Sequence, residues 1–519
     1  VESKPYPKPI ILSLLSGFFL ALAFPPYGLD LFAWAALVPL LFAIDGQKPL
    51  RTLLCGFVCG MAFYLTGLSW VINTMVNFGS MPLPLSWLVL ALLSAYLSSY
   101  IALFCFLLQR MARKDPVLAL VMAPLLWTCL EYARSSYPDL GFSWLGLGYS
   151  QAGNLAVIQI AEFTGAYGVS AWIVFVNTGL FILLRGLYAS EALAGLRMRV
   201  SIVLLCVSGL CLGYGFYILE RPAPPANTEV KVALVQGNIA QHLKWDRSYR
   251  NEVMSIYRRL TRDAAESQPD LIVWPEAVTP FYFSLDTKQS QRVVDIVRES
   301  GAAFLLGSPF QKYEGGKPKL LNSAFFLSPD GEVNGRYDKI HLVPFGEFVP
   351  FQKLLWFVKK MATGVSDFRR GEDPKVFSLP LDGEKEAAGF GVSICFEITF
   401  PNLTRQPVKN GAQFLVNITN DAWFGKSAAS YQHMDMAVMR AVENRTPIVR
   451  AANTGVSGFI DAKGKIHQAT GLFVEATVVA SIRPRLGPLT FYSRYGDVFS
   501  FACIAGMIFL ALPTRRRSQ

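Results

Sequence analysis

The stretch "GVSICFEITF", residues 391–400, reads as an apolar strand except for a thiol and a carboxylate. Cys395 and Glu397 stand two positions apart and so would share one face of an extended chain. Free cysteine is often a plain core residue, so the pattern by itself leaves an inert thiol open. Two more apolar runs carry charges. Glu276 ends "LIVWPEA", where Pro275 interrupts strand pairing, and Lys339 lies inside "YDKIHLVPFGEFVP". A charge at the end of a buried strand is costly unless paired. A Glu276–Lys339 ion pair would meet that cost and leave the cysteine unexplained.

A nucleophilic cysteine needs a neighbouring base or cation, because a free thiol titrates near ~8.5. Histidine is the usual helper, and the chain has four. His242 and His467 sit in polar, turn-like contexts and His433 in a helical pattern; His341 follows Lys339 by two positions, but no Cys–His motif surrounds it. Cysteine placement says more. Of eight cysteines, Cys55, Cys59, Cys105, Cys129, Cys206, Cys211 and Cys503 fall in runs apolar enough for membrane helices, where a small residue between helices needs no other role. Cys395 alone lies outside such runs. In an oxidising compartment a lone thiol is a liability, so it is either buried and inert or kept for its chemistry.

The elements that must position these residues belong to a chain of two characters. Its 519 residues are 52% hydrophobic and only 16% charged, with a mean hydropathy of +0.35, whereas soluble domains carry roughly 25% charged residues. Apolar stretches near 9–24, 30–44, 52–72, 84–108, 117–133, 165–184, 200–219 and 496–512 predict eight transmembrane helices, the first two short against the ~20 residues a bilayer requires. The stretch 30–44 is short and also fits a re-entrant or interfacial segment. Lys4, Lys8, an apolar run and Ala21-Leu22-Ala23 resemble a signal peptide, but the segment is expected to be retained as the first helix.

Loop charges orient the chain. With both termini cytoplasmic, the inside segments carry Lys4, Lys8, Lys48, Arg51, Arg110, Arg113, Lys114, Arg185, Arg197, Arg199 and Arg515 to Arg517, against the acids Glu2, Asp45, Asp115 and Glu191. Those segments account for nine of the eleven net positive charges. The basicity therefore reports topology, and a nucleic-acid partner is excluded. The predicted spans hold almost no mid-membrane ionisable groups, Glu131 and Glu162 lying at helix ends, which argues against an ion carrier.

Three domains are expected: a seven-helix membrane domain over 1–224, an extracytoplasmic domain over 225–488, and a last helix with a basic tail over 489–519. Within the second, strand patterns such as "EVKVALVQGNI", "AAFLLGSPF", "NSAFFLSPDGEV", "GRYDKIHLVPF" and "AQFLVNITNDAWF" alternate with helical patterns over 246–267 and 430–445. A hairpin in "PIVRAANTGVSGFIDAKGKI" turns at Asp461 to Gly464. This alternation implies a layered α/β domain.

"WPEAVTP", "YDKIHLVPFGEFVP" and "SICFEITFP" resemble the three catalytic segments of the nitrilase (carbon–nitrogen hydrolase) superfamily, and "VNITNDAWFG" and "RTPIVRAANTG" resemble segments after its cysteine. The wording "HLVPFGEFVP", with seven apolar stretches before the domain and one after, is similar to the bacterial apolipoprotein N-acyltransferases. The resemblance implies an αββα sandwich with Cys395 as nucleophile, Glu276 as general base and Lys339 stabilising the oxyanion, aided by the Phe396 N–H. It implies supporting roles for Glu347 and Glu397, and the phenyl ring of Phe396 offers no hydroxyl. A nearby ammonium would lower the thiol pKa.

The implied reaction is ping-pong acyl transfer. Cys395 takes an acyl chain from a membrane phospholipid as a thioester, then passes it to the free α-amine of the lipidated N-terminal cysteine of a diacylglyceryl lipoprotein. No nucleotide, metal or other cofactor is needed, and a monomer in the bacterial inner membrane, catalytic domain periplasmic, is expected. "VPFQKLLWFVKKMATG", with Trp356 and Phe357 beside Lys353, Lys359 and Lys360, suits an interfacial arm. Trp245, Trp423 and Phe424 are candidates for a lid or entrance, or plain core aromatics. The competing reading is a membrane-anchored amide or nitrile hydrolase, in which water resolves the thioester.

Overall fold

The computed structural model describes residues 8–114, 116–137, 141–187, 194–222, 229–244, 246–283, 285–349, 368–381 and 387–511. Two compact units emerge, one of 1–72, 82–221 and 495–519, the other of 73–81 and 222–494.

Among the described residues of the first unit five helices are long and apolar enough to cross a membrane: Pro49–Gly67, Leu83–Ala112, Val117–Ser136, Ala166–Gly186 and Arg197–Glu220. The stretch 30–44 is a single 3-10 turn, Asp30–Trp34, and a seven-residue helix, Val38–Ile44. At ~1.5 Å per residue that helix alone spans only about 10 Å, so the stretch is a broken element and not one continuous helix. Its break is sustained by Asn177, which donates to Ala33 O at 2.8 Å and accepts from Leu37 N at 2.8 Å. Those backbone groups would otherwise lack partners away from water. Gly56 and Gly60 let Pro49–Gly67 approach Leu83–Ala112 closely, since added Cβ atoms would lie 2.7 Å from Ala102 and 2.6 Å from Ser98.

The second unit holds two six-stranded sheets. The first runs β12-β1-β2-β3-β4-β5, with β1 Val230–Gln236, β2 Leu271–Val273, β3 Ala303–Glu314, β4 Lys317–Leu327, β5 Val333–Asp338 and β12 Ala476–Ile482. The second runs β11-β10-β9-β8-β7-β6, with β6 Val376–Leu379, β7 Ala388–Ile394, β8 Phe414–Thr419, β9 Ile448–Ala452, β10 Gly458–Ile460 and β11 Ile466–His467. In each sheet the inner strands, β1-β2-β3 and β7-β8-β9, are parallel. Parallel strands need both faces covered, and the sequence obliges with near-continuous apolar runs: every residue of β2, β8 and β9 is buried.

Phe326 of β4 joins the sheets, its ring centroid 5.2 Å from Phe390 of β7 and 5.6 Å from Phe377 of β6. Helices Arg250–Ala265 and Thr287–Ser300 pack Val253, Leu260, Val293 and Val297 against Ile272 and Phe304 of the first sheet. Helices Pro401–Lys409 and Ala429–Asn444 belong to the second. The expected hairpin forms, with Gly464 N donating to Asp461 O. The fold is a layered α/β sandwich. One expectation needs correcting: β7 stops at Ile394, and Cys395–Thr399 is a 3-10 turn.

Candidate active site

Each of the three residues singled out by chemistry sits where a strand of this sandwich ends. Beyond β2 the chain turns through Pro275 and Glu276, and Gly307 of β3 lies so close that a Cβ there would come 2.6 Å from the Glu276 Cα. Lys339 is the first residue after β5, its N–H donating to Asn322 O of β4. Cys395 follows β7 with a φ of 52°, in the left-handed region that costs a non-glycine residue energy. Its left-handed backbone turns the chain out of the strand, so Cys395 and Glu397 do not share a strand face.

The charges are tightly matched. Lys339 Nζ lies 3.3 Å from Glu276 Oε1 and 2.9 Å from the Glu347 carboxylate, and its side chain is 1% exposed. Asn322 Nδ2 bridges both acids, donating at 2.7 Å to Glu276 and at 2.9 Å to Glu347. Asn420 N, just past β8, donates to the second Glu276 oxygen at 2.9 Å. Burial opposes the Lys339 ammonium, yet Glu276 and Glu347 hold its pKa above the usual lysine value. The site therefore keeps a fixed cation.

The thiol departs from expectation. Burial, seconded by the Glu276 charge, pushes Cys395 above its ordinary value, and Lys339 offsets this only in part. At rest the sulfur is a protonated thiol beside a carboxylate. Attack then requires proton removal, which is the role a neighbouring base can fill.

Glu397 resolves as a fastener. It is fully buried and accepts from Tyr337 Oη at 2.9 and 3.0 Å, Ile340 N at 2.6 Å, His341 N at 3.1 Å and Ile394 N at 2.7 Å. It ties the turn bearing Lys339 to the strand end bearing Cys395. Burial pushes its carboxyl up to about 7. The Phe396 ring packs edge-on against Phe400 at 5.0 Å.

Of the aromatic candidates, Phe424 lies edge-on to His433, ring centres 6.3 Å apart. Trp423 packs against Phe78 at 5.2 Å, and its carbonyl accepts from Thr74 Oγ1 at 2.9 Å. Trp245, Trp356 and Phe357 lie outside the described residues.

Sequence reasoning missed several members of the site. Asn322 was visible as a lone amide in the apolar "LLNSAFF". Lys244 gave no signal; it is 2% exposed, donates to Glu276 O at 3.0 Å, and burial lowers its pKa to about 8. Thr419, Asn420 and Asp421 stood in the quoted "VNITNDAWFG", but only folding brings Thr419 and Asp421 near the thiol and the Asn420 N–H onto Glu276.

Paired sheets with a glutamate, a lysine and a cysteine at their strand ends define a carbon–nitrogen hydrolase-type domain, and the Carbon-nitrogen hydrolase family model matches residues 231–489. The model of the apolipoprotein N-acyltransferase N-terminal domain matches residues 16–179. The chain is 44% identical to the apolipoprotein N-acyltransferase of Geobacter metallireducens over 98% of its own length and 96% of that protein. It is 32% identical to those of Haemophilus influenzae, covering 97% and 94%, and of Vibrio vulnificus, covering 99% and 98%. A solved mutant amidase of the nitrilase superfamily from Nesterenkonia covers 55% of this chain and 98% of its own, at 17% identity and a TM-score of 0.38. The chain belongs to the apolipoprotein N-acyltransferase family.

Proposed function

We propose that this protein moves an acyl chain from a membrane phospholipid to the free α-amine of a diacylglyceryl lipoprotein, through a thioester on Cys395. The observation that carries the residue roles is the Glu276–Lys339–Glu347 cluster set beside a protonated Cys395 thiol. Glu276 accepts the thiol proton as sulfur attacks the ester carbonyl. Lys339 and the Phe396 N–H stabilise the oxyanion. Collapse returns the proton to the departing lysophospholipid hydroxyl and leaves the acyl-thioester. The lipoprotein amine then attacks, Glu276 takes its proton, and collapse expels the Cys395 sulfur, which receives that proton from Glu276 as the amide forms and the thiol is restored. Glu347 shares Lys339 with Glu276, so the ammonium stays charged while Glu276 cycles.

The membrane arrangement forms part of the same reading. Eight spans, both termini cytoplasmic, and residues 225–488 on the periplasmic side of the bacterial inner membrane agree with the loop charges, and a working monomer is proposed with them. Intact mass of the purified protein after incubation with phospholipid tests the chemistry. The unaltered chain gains one acyl increment and Cys395→Ser gains none. The increment then passes to a diacylated lipopeptide. Acylation of Cys395→Ser overturns the nucleophile assignment, and an increment lost to water with no gain on the peptide identifies a hydrolase.

A further inference from the structure

Beneath Cys395 lies a charged group that the triad chemistry does not employ. Asp421, His433 and Arg450 are all fully buried. Arg450 Nη2 lies 2.9 Å from Asp421 Oδ2 and 3.0 Å from His433 Nδ1, and Nη1 donates to Asn417 Oδ1 of β8. Asp421 Oδ1 accepts from Thr419 Oγ1 at 2.9 Å and lies 3.3 Å from His433 Nδ1. On the far side of the ring, His433 Nε2 lies 3.2 Å from the carbonyl oxygen of Cys395.

These contacts fix the tautomer. The Cys395 carbonyl can only accept, so His433 Nε2 carries a proton and donates to it. A lone proton on Nδ1 could reach Asp421 Oδ1, but it would leave Nε2 bare against that carbonyl, lone pair facing lone pair. With one ring proton, the imidazole carries it on Nε2, and Nδ1 accepts from Arg450. Burial, with the Arg450 charge, holds its pKa below the ordinary histidine value, which agrees.

The Cys395 carbonyl and the Phe396 N–H belong to one planar trans peptide and point in opposite directions. We infer that His433 is a positioning residue, its Nε2–H holding the Cys395 carbonyl so that the Phe396 N–H is aimed at the oxyanion. This matters because Cys395 sits at a φ of 52°, where a non-glycine backbone gains by relaxing. The buried Asp421–Arg450 pair keeps the ring in one tautomer and one orientation. The inference rests on Cys395 being the acylated residue.

The test compares His433→Asn with His433→Gln in the full chain. A glutamine amide can place its N–H near the position of Nε2, whereas an asparagine amide ends near Nδ1 and does not reach Cys395 O. Two readouts separate positioning from general damage. Single-turnover thioester formation from dioleoyl phosphatidylethanolamine passes through an oxyanion, and alkylation of Cys395 by iodoacetamide does not. Loss of an oxyanion donor costs about 10²–10³ in rate, so a misaimed donor should cost roughly 10- to 100-fold. The asparagine variant is expected to lose that much acylation at saturating phospholipid, with KM and alkylation within about twofold of the parent; the glutamine variant should stay within about threefold. Unchanged acylation in the asparagine variant, or a parallel loss of alkylation, overturns the inference. A folded glutamine variant impaired tenfold or more overturns it without reference to asparagine. If the parent itself forms no thioester at Cys395, the nucleophile assignment has failed instead.

Discussion

The Cys395 thiol is harder to ionise than usual, because it is buried and because a carboxylate acts on it. Burial acts first, Glu276 second, and Lys339 opposes both. Because the folded pKa lies above the ordinary value, the rate of Cys395 alkylation by iodoacetamide should keep rising through pH 9, followed by peptide mapping. A plateau below pH 8 would contradict a raised pKa. Glu276→Gln separates the two effects of this carboxylate. Removing its negative charge should speed alkylation at pH 8, while loss of the base should slow acyl transfer by roughly 10²–10⁴. Slower alkylation in that variant would show that Glu276 does not raise the thiol pKa. Cys395, Glu276 and Lys339 were legible from sequence because charge and thiol in apolar runs lack a cheap structural excuse. The direction of the thiol shift was not, since an ammonium alone predicts the opposite sign and burial is a tertiary quantity.

Between elements, two joints set the geometry. Glu397 ties β7's end to the turn after β5 through three backbone N–H groups and the Tyr337 hydroxyl. Glu397→Ala leaves those donors buried without an acceptor and should cost at least about 3 kcal/mol. Thermal unfolding in detergent checks this, and a midpoint equal to the parent's would refute the fastening role. A raised folded pKa also has a pH signature. The native state holds the Glu397 proton up to about 7 against a usual 4.5, so its contribution is full below 4.5 and is lost as pH rises through 7. The parent's midpoint should therefore fall over that window more steeply than that of Glu397→Gln; equal slopes would dismiss the shift. The second joint is Phe326, between Phe377 and Phe390. Phe326→Ala should cost about 3–5 kcal/mol by opening a cavity between the sheets, read by chemical denaturation of the 225–488 region; a loss under 1 kcal/mol would place the sheet contact elsewhere. The strand sequence was readable from apolar runs, but the end of β7 was not. Ile394 to Phe400 reads as continuing strand by composition, and the left-handed backbone at Cys395 is imposed by partners distant in sequence.

For the whole molecule, the topology proposal makes the cleanest prediction. A cysteine placed at Lys465, exposed just after the hairpin turn, should react with a membrane-impermeant maleimide in intact spheroplasts, and one at Lys114 should react only after lysis. The reverse pattern would invert the topology. The sequence by itself determined the division into a lipid-solvated part and a layered α/β part, because hydropathy and strand patterning are properties of consecutive residues. It also singled out Glu276 and Lys339 as anomalies, because a buried charge is anomalous wherever it occurs in an apolar run. Tertiary structure alone decided that the stretch 30–44 breaks against Asn177, that Glu276 reaches Lys339, that Asn322 bridges Glu276 and Glu347, and that His433 lies beneath Cys395. Those contacts join positions tens to more than a hundred residues apart. No local pattern encodes them; they follow from which helices pack together in the first unit and which strand ends the two sheets bring together in the second.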